Sequence, residues 1–389
     1  MSETPSSTPA KPLIRLTAEQ RSTLESLLAG RTDRLILRKE DPFLSVEQGS
    51  DVDILCRFPN KAKQEILNRL GAPVWIARRS YVTSFFYDWC HLDIMPSVEW
   101  WGASFLSNER LFGASRAGQF VIRRPSLADD ALIVWFSSIL WGGFFKETYR
   151  PAILEAVAQD PIGIESGLTE AFGPALGNEL WCMAQSERFQ DAVLLKSRLR
   201  KTLWLRQFTR QPARTLWSLA RFFWAELCLT LRPPMPMIAF FMTEGYDVQS
   251  LLRELTARPS RTLLGFSSIP YNQQTLKPWV YWRRIARTRA KNKIVVITQT
   301  SAAFLQNALN QRQRPLNFLN KIFSGGTPRP DLFFVIMKNA QDHEGLAVIE
   351  RLSGACILDG SKSPQELADI VLLEIHKLLK ARTSESYVL

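Results

Sequence analysis

The residues that decide the fold of the first half of the chain are Gly-Ser-Asp-Val-Asp-Ile-Leu, at positions 49–55. Carboxylates alternate with apolar residues here, and a period of two predicts a β-strand. Asp51 and Asp53 then share one face of the strand, while Val52 and Ile54 pack into the core from the other face. Two carboxylates so close repel each other, and a hard cation such as Mg²⁺ relieves that repulsion. The stretch therefore predicts a strand whose polar face holds a metal ion.

A second stretch, His-Leu-Asp-Ile-Met at 91–95, alternates in the same way and places Asp93 on the polar face of another strand. If the two strands are neighbours, Asp51, Asp53 and Asp93 converge on one spot. Three converging carboxylates suit two-metal phosphoryl or nucleotidyl transfer, in which metal ions bind both the attacking and the leaving oxygen. The alternative is a strand that ends in a solvated acidic turn, because short acidic motifs occur often by chance.

These residues resemble the core motif of the nucleotidyltransferase superfamily that includes DNA polymerase β. That motif is Gly-Ser followed by Asp-x-Asp on one strand, with a third carboxylate on a later strand. The resemblance covers residues 35–109. It implies Mg²⁺ bound by the three aspartates, an NTP whose phosphates contact the backbone of Gly49 and Ser50, and an unknown hydroxyl acceptor that Asp93 helps to deprotonate. Most members separate Gly-Ser from Asp-x-Asp by several residues, whereas here the two are adjacent, as in a variant subgroup.

Two basic residues, Arg38 and Lys39, follow a first predicted strand that begins at Leu35. This position places them near the carboxylates. They bind the triphosphate of a nucleotide or are simply solvated, and the sequence leaves both interpretations open.

Composition limits the class of protein. The 389 residues suggest two or three domains, and 46% hydrophobic with 22% charged residues is typical of a globular protein. The net charge of +12 favours anionic partners. Five cysteines without a Cys-x-x-Cys pair, together with three histidines, make a poor inventory for a zinc site. We expect reduced thiols that pack in the core, and a cytoplasmic location.

The amino-terminal half divides by composition. Residues 1–12 are rich in Ser, Thr and Pro, and predict a disordered tail rather than a signal peptide. Residues 13–115 form the nucleotidyltransferase-like domain, with helices expected at Thr17–Ala29 and Asn60–Leu70. Glu99 is another carboxylate near the third aspartate, which assists a metal or, as we expect, forms a surface salt bridge.

Residues 116–190 are expected to form a helical extension. Its apolar run within Ser126–Phe145 is shorter than the ~20 residues that span a bilayer, so a buried helix is predicted. Residues 191–232 follow as a basic, aromatic segment that Pro212 breaks into two helices. One interpretation is a linker between domains, in which the aliphatic parts of the Lys and Arg side chains pack against protein and their charged groups stay in solvent. The other is a segment that contacts an anionic membrane surface. Nucleic acid is a weaker alternative because no recognition motif accompanies the charge.

Residues 233–389 begin with a predicted strand, turn and helix. Further strands then alternate with helices, and this pattern predicts a parallel sheet. The first turn resembles the phosphate-binding loop of thymidylate kinases, Gly-x-x-Gly-x-Gly-Lys-[Ser/Thr]-[Ser/Thr]. Only Gly245 and Ser250 match that pattern, Glu244 is compatible with it, and Val248 replaces the lysine that reaches the phosphates. The resemblance implies a P-loop kinase fold that has lost kinase activity.

The sequence thus predicts an α/β protein: a small mixed-sheet, nucleotidyltransferase-like domain with a helical extension, joined to a degenerate, thymidylate-kinase-like domain. Such fusions resemble uncharacterised bacterial proteins, some of them associated with polysaccharide biosynthesis. One hypothesis is a Mg²⁺-dependent nucleotidyltransferase. The other is a non-catalytic scaffold or regulator that binds a nucleotide or another anion, docks on a partner protein, or lies at the inner surface of the membrane.

Overall fold

The computed structural model divides the chain into two units, Met1–Glu226 and Leu227–Leu389. The boundary falls within the last part of the basic, aromatic segment. The predicted tail of residues 1–12 lies outside the described residues, which are 15–38, 41–47, 50–231, 235–242, 247–257, 265–270, 284–285, 288–289, 293–298, 330–337 and 355–386.

A five-stranded mixed sheet organises the first unit. Its strands are β1 (Arg34–Ile36), β2 (Asp51–Cys56), β3 (Trp75–Arg78), β4 (Thr83–Phe86) and β5 (His91–Met95). Their order across the sheet is β1-β2-β5-β4-β3. The central pair β2 and β5 is parallel, and every other pair is antiparallel. The expected mixed sheet is therefore confirmed, with the two predicted acidic strands as neighbours at its centre.

Three helices accompany this sheet: α1 (Ala18–Leu28), α2 (Pro42–Glu47) and α3 (Pro59–Leu70). Thr17 caps α1 in a capping box with Gln20. Gly71 ends α3 with a φ of +72°, a backbone conformation that glycine adopts without strain. Helix α2, which the sequence analysis did not predict, fills the connection between β1 and β2.

The two faces of β2 and β5 pack against different cores. Val52 and Ile54 lie in one core with residues of α1 and α3. Leu55 and Met95, on the opposite face, lie in a larger core with the helices that follow the sheet. Because Asp53 and Asp93 share this second face, the carboxylates lie two residues from the edge of the helical core.

The rest of the first unit is mostly helical. Two short hairpins, β6 (Glu99–Trp100) with β7 (Ala103–Ser104) and β8 (Arg116–Ala117) with β9 (Arg123–Arg124), flank helix α4 (Asn108–Gly113). The helices that follow are α5 (Leu127–Ser137), α6 (Arg150–Gln159), α7 (Pro161–Phe172), α8 (Pro174–Gln185), α9 (Lys196–Arg210) and α10 (Pro212–Leu231).

Helix α5 is the centre of the helical core, since nearly all of its residues are buried. The prediction of a buried helix in this apolar run is confirmed. Across the described residues, no helix has both the length and the apolar character needed to cross a bilayer. Helix α9 also belongs to this core, because Leu199 and Leu203 are buried in it. Pro212 begins α10, which confirms the predicted break between two helices.

All five cysteines are free thiols. Cys56 and Cys90 are buried, as expected, and burial raises their pKa values above the ordinary thiol range. The prediction of core packing is wrong for Cys182 and Cys228, which are exposed on α8 and α10. Both helices keep one face in solvent, and periodicity alone did not show which face each cysteine occupies.

The second unit contains a parallel sheet, as predicted. Its strands β10 (Met237–Met242), β11 (Gly265–Pro270), β12 (Lys293–Thr298), β13 (Leu332–Met337) and β14 (Ala355–Asp359) have the order β11-β12-β10-β13-β14, and all four pairings are parallel. The apolar runs of β10 and β12 are buried on both faces, as is usual in parallel sheets. Helix α11 (Val248–Ala257) follows β10, and α12 (Pro364–Ser386) ends the unit.

Candidate metal centre

The parallel pairing of β2 and β5 brings the three predicted carboxylates together. Asp53 is the direct partner of Asp93 across the two strands, and Asp51 is the partner of His91. One carboxylate oxygen from each of the three aspartates lies within 4.8 Å of the others. Asp53 is buried, whereas Asp51 and Asp93 are half-buried and lead toward solvent. The predicted convergence of the three carboxylates is confirmed.

Burial and mutual repulsion set the charge of this cluster. Burial, together with the charges of Asp51 and Asp93, raises the pKa of Asp53 to about 6 against the opposing charges of Arg38 and His91. Burial also pushes the pKa of Asp93 upward, but the hydrogen bond and charge of His91 outweigh it, so that pKa is lowered. Two neighbouring carboxylates therefore have pKa values displaced in opposite directions.

Arg38 is neither free nor simply solvated. Its Nη1 lies 3.5 Å from Asp53 Oδ2, and its side chain is 29% exposed. Burial lowers the pKa of Arg38, but the charges of Asp53 and Asp51 outweigh burial and raise it. The guanidinium group therefore stays charged and offsets part of the negative charge at the site.

The backbone at Arg38 directs this side chain toward the carboxylates. Its φ of +67° lies in the left-handed region, which costs a non-glycine residue about 1–2 kcal/mol. Its N–H donates to Asp130 Oδ1 at 3.0 Å, and Asp130 also pairs with the buried side chain of Arg124. Helix α5, which carries Asp130, therefore fixes the turn at the end of β1.

His91 is a residue of the site that the sequence analysis missed. Its Nε2 lies 2.7 Å from Asp93 Oδ1, and its ring stacks on Phe86 at a centroid distance of 4.0 Å. Burial lowers the pKa of His91, but Asp93 and the other two carboxylates outweigh burial and raise it. The alternation that placed Asp93 on the polar face places His91 there too, so the signal was present in the sequence.

The donor set fits a hard divalent cation. All three donors are carboxylate oxygens, the ligands that Mg²⁺ and Ca²⁺ prefer. Three oxygens within 4.8 Å of one another lie at most about 2.8 Å from a common centre, and small side-chain movements would bring them to the ~2.1 Å that Mg²⁺ requires. The half-buried positions of Asp51 and Asp93 leave room for waters or phosphate oxygens. The residues present therefore fit a metal ion.

The other residues predicted for nucleotide binding are only partly visible. Gly49 and Lys39 lie outside the described residues. The N–H of Ser50 donates to the carbonyl of Ser45 at 2.8 Å, so this group is already engaged. The side-chain hydroxyl of Ser50 is therefore the group with which this residue would contact a phosphate.

Glu99 does not form the surface salt bridge that the sequence analysis favoured. It is only 8% exposed, and the Ser97 hydroxyl donates to its Oε2 at 2.7 Å. Burial raises the pKa of Glu99. The correction arises because α9 and α10 cover the β6–β7 hairpin, an arrangement that the local sequence does not reveal.

The degenerate phosphate-binding turn of the second unit is also only partly visible. Glu244 and Gly245 lie outside the described residues. Ser250 is in the first turn of α11, and its hydroxyl donates to Asp247 Oδ2 at 2.7 Å. The acidic side chain of Asp247 thus occupies the N-terminus of α11, where a kinase would bind phosphate.

No protein-family model and no curated protein sequence matches the chain. The chemistry of the groups that converge on one place is therefore the guide to function. In the described residues, that place consists of Asp51, Asp53 and Asp93, with Arg38 and His91 against them.

Proposed function

We propose that the first unit transfers a nucleotidyl group from an NTP to a hydroxyl acceptor, with Mg²⁺ bound by Asp51, Asp53 and Asp93. The observation that carries this proposal is the convergence of three carboxylate oxygens within 4.8 Å on two neighbouring parallel strands. When bound, the metal supplies positive charge to the phosphates and activates the oxygens that attack and leave.

The proposed reaction is a displacement at the α-phosphorus of the NTP. The acceptor oxygen forms a new P–O bond, the bond from that phosphorus to the bridging oxygen breaks, and pyrophosphate leaves with the electron pair. The proton of the acceptor hydroxyl passes to the carboxylate of Asp93, which is ionised before the transfer because His91 lowers its pKa.

Arg38 and His91 have different proposed roles. The guanidinium of Arg38 faces Asp53 and is positioned to bind a phosphate oxygen as charge develops on the leaving group. His91 is a positioning residue, because its ring is stacked on Phe86 and its Nε2 holds Asp93. This arrangement keeps one oxygen of Asp93 directed toward the cluster.

The first test measures metal binding without requiring the unknown acceptor. Mn²⁺ titration followed by electron paramagnetic resonance compares the wild type with the double variant Asp51→Asn/Asp53→Asn. Exposed Glu155→Gln on α6 is the matched control, since it also removes a carboxylate. We expect the double variant to lose tight Mn²⁺ binding and the control to keep it. Equal binding by all three proteins would remove the metal centre.

The second test measures chemistry. Each of the four NTPs, labelled at the γ-phosphate, is incubated with Mg²⁺ and the wild type, and released pyrophosphate is quantified. We expect release with one or more nucleotides, falling by about 10³-fold in the double variant. Pyrophosphate release that is the same in the wild type and the double variant contradicts nucleotidyl transfer.

A second candidate function, a scaffold at an anionic lipid surface, has its own observation. Helix α10 exposes four large apolar side chains on one face, with exposed fractions from 52% to 71%: Leu216, Trp217, Phe223 and Trp224. The opposite face packs on the first unit through Phe222, which stacks on Trp101 at 5.4 Å. Arg214 and Arg221 lie beside the exposed face, a composition typical of interfacial helices.

Sedimentation with vesicles tests this second candidate. Vesicles of 30% phosphatidylglycerol in phosphatidylcholine are compared with pure phosphatidylcholine at low salt. We expect binding to the anionic vesicles that Trp217→Ser/Trp224→Ser abolishes and Phe58→Ser/Ile162→Ser, which removes equally exposed apolar groups elsewhere, does not. Lack of sedimentation by the wild type at low salt excludes the membrane role.

A further inference from the structure

The first unit contains a cavity that the metal centre does not use. It lies between the β6–β7 hairpin, the start of α4, and helices α9 and α10, and its volume is about 430 Å³. This volume lies within the range of roughly 300–1,000 Å³ that is usual for small-molecule sites. The lining is mainly polar and charged, which indicates a polar ligand.

Four buried polar atoms that line this cavity have no hydrogen-bond partner within the described part of the chain. Three are acceptors, Glu99 Oε1, Asn108 Oδ1 and Gln207 Oε1, and the fourth is the donor Arg206 Nε. A buried polar atom without a partner costs about 1–3 kcal/mol. Their concentration in one cavity is explained if a ligand supplies the missing partners.

The side-chain donors beside Glu99 and Asn108 are already engaged. The Ser97 hydroxyl donates to the other oxygen of Glu99, at 2.7 Å. The amide nitrogen of Asn108 donates to the carbonyl of Pro96 at 2.8 Å, which leaves its oxygen directed away from that bond. A ligand that fills the cavity must therefore bring hydrogen-bond donors, such as hydroxyl groups, to the three acceptors.

Arginines supply the positive charge of the cavity, whose lining also contains the carboxyl groups of Glu99, Glu109 and Glu170. Arg206, Arg210, Arg214 and Arg221 line it, and within the residues that the structure describes none of them forms an ion pair. Arg214 and Arg221 donate to neutral oxygens, those of Gln211 and Ser80, each at 3.2 Å. The acidic Glu170 in the wall is engaged by Arg110 and by the N–H of Ser107. The part of the cavity that these four arginines line is suited to bind an anion such as phosphate.

Close packing fixes the walls. Gly102, with a φ of +77°, forms the turn between β6 and β7, and a Cβ added there would lie 2.8 Å from Ser218 Cβ of α10. Trp101 next to it stacks on Phe222 of the same helix. The hairpin and α10 are therefore held at one distance, and the cavity exists without the ligand.

We infer that this cavity binds a small phosphorylated polyhydroxyl compound, such as a sugar phosphate or a polyol phosphate. Its phosphate contacts the arginines of α9 and α10, and its hydroxyl groups donate to Glu99, Asn108 and Gln207. Trp217 lies at the rim and offers an apolar face to the carbon skeleton. The inference needs neither the metal nor the transfer reaction.

Isothermal titration calorimetry with defined probes tests the inference. The probes are glucose 6-phosphate, ribose 5-phosphate, glycerol 3-phosphate, inorganic phosphate and glucose, each added to the full chain at low salt without metal. We expect one or more of the three phosphorylated polyols to bind at least ten-fold more tightly than inorganic phosphate or glucose. If none of the three exceeds inorganic phosphate, the inference is wrong.

Matched variants locate the binding. Arg210→Gln removes a lining charge, whereas Lys201→Gln removes an exposed charge from the same helix outside the cavity. We expect the first to weaken binding of the phosphorylated probe by ten-fold or more and the second to change it less than two-fold. Equal losses in the two variants mean non-specific attraction by a basic helix and overturn the inference.

Gln207→Leu separates ligand binding from structure. It removes an unpartnered acceptor, so we expect thermal stability to stay equal or rise, and affinity for the phosphorylated polyol, though not for inorganic phosphate, to fall at least five-fold. Unchanged affinity for the polyol contradicts the role of this residue as a hydroxyl acceptor. The double variant Asp51→Asn/Asp53→Asn should keep full affinity, so failure of the metal centre and failure of this cavity are distinguishable.

Discussion

The two sheets differ in where they carry charged side chains. In the first unit, one face of β2 is apolar, and the other carries Asp51 and Asp53 ahead of the buried Leu55, so the site lies along the strand itself. In the second unit, the apolar runs 237–241 of β10 and 294–297 of β12 are buried on both faces. A parallel sheet covered on both faces has chemistry only at its strand ends, whereas a partly covered sheet can hold it along the strand.

This difference locates the place where a ligand of the second unit would bind. Strand β10 leads toward β11 on one side of the sheet, and β13 leads toward β14 on the other side. The carboxyl ends of β10 and β13 therefore form the switch point of the topology, where open α/β sheets bind ligands. The connection after β10 includes residues 243–246, which lie outside the described part of the chain.

The strongest way to break the comparison is to place a carboxylate in the apolar sheet. Ala239 is fully buried in β10, which pairs with strands on both sides. We expect Ala239→Asp to destabilise the second unit by about 4 kcal/mol or more, because an unpaired charge is buried. Urea denaturation followed by circular dichroism measures the effect.

Gln249→Asp is the control for this substitution. It adds the same charge at an exposed position in the first turn of α11, where an acidic residue is tolerated. We expect a change within about 0.5 kcal/mol. Equal denaturation midpoints for Ala239→Asp and the wild type would mean that β10 is not the covered strand described above.

A smaller effect tests the support beneath the acidic face. Arg124 is buried and pairs with Asp130, which holds the backbone of Arg38. We expect Arg124→Met to cost about 3 kcal/mol, because it leaves Asp130 as a buried and uncompensated charge. Thermal denaturation of Arg124→Met and Arg123→Met, its neighbour on β9, provides the measurement.

We expect the loss of stability to depend on the charge that is removed rather than on the shape of the side chain. Within the described residues, the side chain of Arg123 makes a single long hydrogen bond of 3.4 Å, to the carbonyl of Ser115, so its replacement should cost at most about 1 kcal/mol. The double variant Arg124→Met/Asp130→Asn should recover part of the loss, because the buried charge is then removed. If the double variant is no more stable than Arg124→Met, the ion pair is not what supports the turn.

The smallest predicted effect is a gain in stability rather than a loss, and it tests the acidic face of β2. Asp53 is buried beside two other carboxylates and has one cation, Arg38, at 3.5 Å. Replacing it with the neutral Asn removes repulsion, so we expect Asp53→Asn to raise the melting temperature of the metal-free protein by about 2–4 °C, or about 1 kcal/mol. Glu155→Gln should leave the melting temperature unchanged.

Added Mg²⁺ reverses this order, because a ligand that binds only the folded state stabilises it. The wild type should gain stability with Mg²⁺ in differential scanning calorimetry, and Asp53→Asn should not. A variant that is less stable than the wild type in EDTA would show that the acidic face is a structural element, not a strained binding site.

Local pattern accounts for the parts of the molecule that the sequence predicted. Alternation over 49–55 and 91–95 was enough to place three carboxylates on one face, since a strand fixes which side chains share a face. Strands that alternate with helices in residues 233–389 predicted the parallel sheet, because parallel neighbours need such crossover connections. His91 was within reach of this reasoning, because it is two residues from Asp93.

Distant contacts account for what the sequence did not predict. Asp130 supports Arg38 across 92 residues of chain, and Glu99 lines a cavity together with residues of two later helices. Neither contact leaves a trace in the local spacing of residues. The polar cavity is of the same kind, since residues from the hairpin, α4, α9 and α10 meet only in the folded unit.

The hydrogen bond between Arg38 and Asp130 has a consequence for dissecting the molecule. A fragment that stops at residue 115 would retain all three aspartates but lose the partner that holds Arg38 in its left-handed conformation. Such a fragment would form the strands and still misplace its guanidinium group. The smallest portion of the chain that builds the complete centre must therefore extend through α5. A fragment cut at residue 115 would contain the carboxylates without their correctly placed counterion.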